Sequence, residues 1–153
     1  MTTEDYFNRI RQNLYFVLVE PESPGNVGAA ARALKTSGFP KLILINPPAV
    51  ESPETKMMAH RSFDIMRRAK IVTTFNEAVE NMHLTVGTTM RKRHSNFPIF
   101  GPLELTRKIL PIALRHPVAL VFGRERTVLT NEELFKCQWH STIPTAAQNP
   151  SLN

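Results

Sequence analysis

A chain of 153 residues has the length of one domain, and a domain of that size buries roughly two-thirds of the surface its unfolded form exposes, so it needs no covalent staples. Its single cysteine, Cys137, excludes an internal disulfide or a cysteine-based zinc cluster, and no apolar run approaches the ~20 residues that span a bilayer; a soluble, cytoplasmic protein is expected. Nineteen Lys and Arg stand against thirteen Asp and Glu, a formal charge of +6 with a pI near 9.9, which favours a polyanionic partner.

The first thirteen residues read as a polar arm without the apolar core of a signal peptide. Leu14 to Val19 reads as a buried strand, and Glu20 to Gly25, with two prolines and a glycine, as a turn. Asn26 can then cap a helix through Val27, Ala31 and Leu34, stopped by Gly38. Lys41 to Ile45 supplies a second strand, so the opening unit is a βαβ crossover. A weak helical pattern from Ser52 to Ala69 follows, then a strand at Ile71 to Phe75, a short helix from Asn76 to Met82, and a strand at Leu84 to Val86 that ends at Gly87.

Thr88 to Gly101 is the most cationic loop, and Pro102 opens a helix that Pro111 is expected to kink or end near Leu110. Val118 to Phe122 is an unbroken apolar run, as in a strand covered on both faces, and it leads straight into Gly123, Arg124 and Glu125. Asn131 caps a short helix, and Trp139 to Ile143 is the last strand. Six strands alternating with helices predict an α/β domain, a mostly parallel sheet covered by helices on both faces, with no internal repeat or linker.

The common nucleotide signatures are absent: no G-x-G-x-x-G follows a strand, and there is no P-loop and no G-x-S-x-G elbow. The histidines, His60, His83, His94, His116 and His140, are scattered, so no metal site is expected. Cys137, at a helix end, reads as a small core residue. Three polar clusters remain, each after a strand: Asn26 with Gly28 and Arg32, then Gly123 to Glu125, then Ile143 to Thr145 with Pro150 to Asn153. By pattern alone, Asn26 could equally be only a cap and Arg32 only a solvated outer-face residue. Arg91, Lys92, Arg93 and His94, near Phe97 and Phe100, suit phosphate contacts with base stacking, or else form a solvated loop whose phenylalanines return to the core. Arg67 and Arg68 read as a helix face.

In this order and separation the three clusters resemble the motifs of the SpoU/TrmH branch of the SPOUT RNA methyltransferases, in particular the TrmJ-like tRNA/rRNA ribose methyltransferases. The first stands here as NVGAAARALKTSGF (Asn26 to Phe39), the second as VALVFGRERTVLTNEEL (Val118 to Leu134), and the third as IPT followed by PSLN (Ile143 to Asn153). The resemblance covers nearly the whole chain from Leu14 onward. It implies a trefoil knot in the C-terminal part of the sheet, a pocket for S-adenosylmethionine formed by that knot, and a homodimer that completes a site for tRNA or rRNA. Family members continue beyond the third motif into a helix that closes the knot, so the C-terminal end of this single domain is expected to be truncated or missing.

Carried onto these residues, the resemblance places the cofactor against Thr88, Thr89, Gly123, Glu125, Ile143, Ser151 and Leu152. It implies transfer of a methyl group from a sulfonium to a ribose 2′-hydroxyl, with Arg32, Ser151, Asn153, Glu125 and Asn26 as the catalytic set and Arg32, Arg91, Arg93 and Arg124 toward the RNA. A guanidinium stays protonated at ordinary pH, so Arg32 is expected to hold a phosphate and stabilise alkoxide charge rather than abstract a proton. Glu125 is expected to fix Arg32 or to accept from the ribose. Two other classes stay open: an RNA-binding module of the same fold without catalysis, and a small-molecule-binding protein of flavodoxin-like type. Binding of S-adenosylmethionine separates them.

Overall fold

The computed structural model describes residues 1–49, 53, 60–90 and 96–143. Its elements in chain order are α1 (Thr3–Asn13), β1 (Leu14–Val19), α2 (Pro24–Ser37), β2 (Lys41–Ile45), a 3-10 turn (His60–Ser62), α3 (Phe63–Arg68), β3 (Lys70–Val72), α4 (Phe75–Val79), β4 (Leu84–Thr89), β5 (Ile99–Phe100), α5 (Pro102–Ala113), β6 (Val118–Phe122), α6 (Asn131–Phe135) and β7 (Trp139–Thr142). They form one seven-stranded sheet in the order β3-β2-β1-β6-β4-β7-β5, with every pairing parallel.

The alternation of side chains along each strand divides the core into two layers. Val17, Val19, Ile43, Ile45, Ala119 and Val121 pack on one face under α4 and α6, through Phe75, Ala78, Leu134 and Cys137. On the other face, α1 and α5 cover Leu84, Val86 and Val118 through Ile10, Leu105 and Ile109, while α2 and α3 cover Leu42 and Leu44 through Val27, Ala31, Leu34 and Met66. The chain builds outward from β1 to β3 and then returns to the other side of β1. The order therefore reverses between β1 and β6, and crevices for ligands open at the carboxyl ends of such a strand pair.

Several local expectations are corrected. The polar arm is a helix: Thr2 and Asp5 form a reciprocal capping box, a T-x-x-D signal present in the sequence, and Ile10 anchors α1 in the core. The third strand stops at Val72, because Thr74 accepts the N–H of Glu77 as the N-cap of α4, which starts at Phe75; Asn76 lies inside that helix and is not its cap. Asn131 is likewise inside α6, capped by Thr130 and Glu133. Pro111 does not end α5. The helix runs past it to Ala113, held on both sides of the proline by buried Leu105, Ile109 and Ala113, and the exposed proline forfeits one backbone hydrogen bond. A two-residue strand at Ile99–Phe100, too short to show a period, adds the seventh strand by pairing with β7. Residues 52 and 54–59 of the weak helical stretch lie outside the described residues, as do residues 144–153, where the knot is implied.

Among the described residues, three other than glycine have positive φ: Glu20 (45°), Asn46 (44°) and Val128 (59°). Glu20 and Asn46 directly follow β1 and β2, and Val128 lies in the loop after β6, so the strain gathers at the carboxyl end of the sheet. Val128 is the costly one, since a β-branched residue is a genuine outlier in the left-handed region. Val128→Gly is expected to relieve about 1–3 kcal/mol of strain against about 0.5–1 kcal/mol of added chain entropy, a net gain of roughly 1 kcal/mol. Chemical denaturation measures it, and a net loss of stability would show that the half-buried valine packs better than its backbone is strained.

Candidate active site

The switch point is closed by a single carboxylate. Glu125, in the loop after β6, accepts the backbone N–H of Glu22 at 2.8 Å and the side-chain amide of Asn26 at 3.2 Å. Asn26 is therefore not the helix cap: α2 starts at Pro24, and its N-cap residue, Ser23, makes no side-chain capping bond. Glu125 instead holds the turn that enters the helix from the far side of the crevice, placing an anion near the end where the helix dipole favours one. Burial pushes the Glu125 carboxyl up, but the N–H groups of Glu22, Glu125 and Ser23 and the Asn26 amide outweigh it and hold the group below its ordinary value of 4.5. It is anionic at neutral pH.

Arg124 anchors the same loop. Its Nε donates to Glu20 at 2.6 Å, one terminal nitrogen to Glu133 at 2.8 Å and to the Val128 carbonyl at 3.2 Å, and the other to Glu133 at 3.1 Å. The end of β1, the loop after β6 and the start of α6 are thus tied by one guanidinium, whose pKa is raised first by the hydrogen bonds to Glu133. Burial alone would raise the Glu133 carboxyl, yet Arg124 and the Thr130 N–H and hydroxyl bring it below 4.5. All three nitrogens of Arg124 are engaged within the chain, which leaves no donor group wholly free for an external phosphate. Glu20 and Glu133 carry this arrangement, and the T-x-x-E spacing of Thr130 and Glu133 was the one sequence signal that marked either.

Gly123 owes its identity to contact. A Cβ there would lie 2.4 Å from Leu129 N and from Val128 C, both backbone atoms, so the loop folds directly onto the glycine. Next to it, Thr88 at the end of β4 donates its hydroxyl to the Val121 carbonyl at 3.0 Å, and Thr89 is buried opposite Thr142. Ile143 follows β7 directly and is 39% exposed. The sheet order therefore brings Thr88, Thr89, Gly123 and Ile143 together at the carboxyl ends of β6, β4 and β7. Ser151, Leu152, Asn153, Arg91 and Arg93 lie outside the described residues.

Arg32 sits on α2 about two turns beyond Asn26 and is exposed, with no ion pair to a described residue. Glu125 does not contact it directly; the two are linked through α2, whose entry and first turn Glu125 holds at Glu22 and Asn26. Beside this helix is a cavity of about 420 Å³, walled by Phe16, Leu18, Phe39 and Phe122 and by Ala30 and Ala33 of α2, with Asn26, Gly123 and Glu125 as part of its lining. Arg32 is not among its walls. Cys137 is fully buried, and burial followed by the nearby Glu133 charge pushes its thiol up to about 12, which suits a core residue and not a nucleophile.

A parallel sheet whose first and second polar clusters are tied together at the switch point, beside a crest of small residues on three neighbouring strands, defines an α/β domain of the doubly covered, parallel class with its polar clusters gathered at one end. The chain belongs to the SpoU rRNA methylase family, whose model matches residues 13–153, as the three motifs implied. It is 44% identical over 142 residues to the tRNA (cytidine/uridine-2′-O-)-methyltransferase TrmJ of Escherichia coli strain 536, covering 93% of this chain and 58% of that protein. It thus spans a little over half the length of such relatives. A probable methylase family protein from Haemophilus influenzae superposes with a TM-score of 0.87 at 39% identity, covering 94% of this chain and 60% of that one. The SpoU methyltransferase AviRb of Streptomyces viridochromogenes, solved in complex with AdoMet, shares the fold at a TM-score of 0.64 and 24% identity, covering 95% of this chain and 55% of its own.

Proposed function

We propose that this chain is the catalytic domain of an S-adenosylmethionine-dependent methyltransferase that modifies a ribose 2′-hydroxyl in tRNA. The observation that carries the reading is the Glu125 clamp. It joins the first and second motifs at the carboxyl end of the central strands, in a chain 44% identical to a tRNA 2′-O-methyltransferase. We further propose that two copies pair to complete the RNA site.

The crest formed by Thr88, Thr89, Gly123 and Ile143 fits the cofactor: it carries no ionised side chain and ends in backbone groups of three parallel strands, the kind of surface that holds a neutral heterocycle and tolerates a sulfonium. Ser151 and Leu152 would complete it. When bound, S-adenosylmethionine supplies an electrophilic methyl group on a good leaving group. The chain's own residues then have to position the ribose and lower the cost of charge on its oxygen. Asn26, held by Glu125, fixes the first turn of α2. Arg32, two turns on, grips the neighbouring phosphate and stabilises the developing alkoxide, while the proton leaves to water or phosphate. Ser151 and Asn153 assist at the same oxygen. Arg91 and Arg93 extend the phosphate contacts. Arg124, with its nitrogens committed to Glu20, Glu133 and Val128, positions the site and leaves RNA contact to the other arginines.

The test is incubation with total tRNA and rRNA and labelled S-adenosylmethionine, followed by nuclease mapping of the labelled nucleoside. A 2′-O-methyl nucleoside in tRNA is expected, and no such product would overturn the reading. Arg32→Lys is expected to lower kcat/KM for RNA at least tenfold, since an ammonium cannot reproduce a planar fork on phosphate. Nearly full activity in that variant would remove the bidentate role.

A further inference from the structure

Because every strand is parallel, the amino ends of β1, β2, β3, β4 and β6 share one end of the domain, opposite the Glu125 clamp. The helices that feed those strands end there too. Arg11, Lys35, Arg67 and Arg68 lie in the last turns of α1, α2 and α3. Lys41 and Lys70 are the first residues of β2 and β3, and Arg115 is in the turn before β6. Against these the same end carries Asp64, already paired with Lys35 at 2.7 Å, and Glu80. His83 and His116 stack there at 4.2 Å, just ahead of β4 and β6. Around the Glu125 clamp the balance is the opposite among the described residues: Glu20, Glu22, Glu125, Glu132 and Glu133 stand against Arg124 and Arg126, both already in ion pairs, and against Arg32 further along α2. Basic residues in last turns complement helix dipoles one at a time. Lys70 and Arg115 stand just past the C-caps Ala69 and Leu114 of α3 and α5, and at α3 three cations, Arg67, Arg68 and Lys70, gather on one short helix end, more than the half-charge of a single dipole calls for.

We propose that this amino-end face is a second contact surface for the sugar-phosphate backbone of the substrate RNA, remote from the nucleotide that reacts. The inference rests on the RNA-directed function proposed above. Exposed Arg67, Arg68, Lys70 and Arg115 carry it; none of them forms an ion pair with a described residue. A strand of six residues separates the two ends by roughly 20 Å. A folded RNA with a second arm reaches both ends, whereas a short fragment around the reacting nucleotide reaches only one. Phosphate contacts at this face therefore contribute affinity and register without reading sequence.

The experiment compares the wild type with an Arg67→Gln, Arg68→Gln, Lys70→Gln, Arg115→Gln variant, each binding whole tRNA and a short single-stranded fragment over a range of salt concentrations. For whole tRNA the slope of log K against log salt is expected to fall by about 3, at roughly 0.7–0.9 per lost phosphate contact, with the fragment's affinity and the binding of S-adenosylhomocysteine unchanged. An unchanged slope in a variant that still binds S-adenosylhomocysteine overturns the face. Equal losses for tRNA and fragment also overturn it, since they place the contact at the reactive end or the defect in the fold. Should the variant fold poorly, the pair Lys70→Gln, Arg115→Gln is expected to lower the slope by about 1.5, and no change there counts against the face. A wild type that binds no RNA at any salt concentration overturns the proposed function itself, and this inference with it.

Discussion

Gly123→Ala is expected to destabilise the domain by about 2–3 kcal/mol, the upper range for forcing a methyl into packed structure, because the new atom would sit 2.4 Å from two backbone atoms that no rotamer change can move. Relief requires the 128–129 segment to lift. That segment is held by the reciprocal pairing of Arg124 with Val128, so the cost spreads to the Arg124 network. Chemical denaturation of the single variants and of Gly123→Ala with Val128→Gly checks both points. The double variant is expected to recover more than the two effects would sum to, by over about 0.5 kcal/mol, because a glycine at 128 can take up the shifted backbone. Wild-type stability in Gly123→Ala would mean the loop does not rest on the glycine.

Arg124→Met is the second large effect. It leaves Glu133, whose side chain is 12% exposed, without its bidentate partner and releases Glu20. Breaking a fully buried pair costs about 3–5 kcal/mol, and the 45% exposure of Glu20 brings the expectation here to about 2–3 kcal/mol. The pH dependence has a definite sign. The folded-state pKa of Glu133 is depressed, so its contribution is present above the ordinary 4.5 and is lost as pH falls through the folded value. The gap between wild type and Arg124→Met should therefore be wide at neutral pH and narrow in the acid range. A gap that persists unchanged into acid would assign the loss to packing of the arginine stem rather than to its charge.

What could be read from the residues differs by kind. The long apolar strands β1, β2 and β6 were plain, since a buried parallel strand needs only an unbroken run, and Gly38 closed α2 in the left-handed conformation as expected, at φ 79°. The caps were less legible. Asn26, Asn76 and Asn131 are good cap formers by residue type, yet Ser23, Thr74 and Thr130 hold the cap positions, because a cap depends on where the chain turns and several polar residues stand within a few positions of each turn. Pro111 shows the reverse, a local rule overridden by the core contacts of its helix. In the site, the motifs located Glu125, but its partner at Glu22 is a backbone N–H and leaves no mark in sequence. Arg124 reads by its charge as a candidate RNA contact, and only the geometry reveals Glu20 and Glu133 around it.

The hold of Glu125 on the start of α2 also sets an order of events. The two partners are 103 residues apart in the chain, and β1 pairs with β6 across a similar span. During synthesis the helix that carries Arg32 emerges early but without a side-chain cap, and its strand has only β2 beside it until nearly the whole domain has been made. The start of the helix that carries Arg32 is then fixed together with Gly123 and Glu125 in one late step, when β6 and the loop after it arrive. A growing chain therefore exposes no finished half-site to RNA, and competence appears together with the completed sheet.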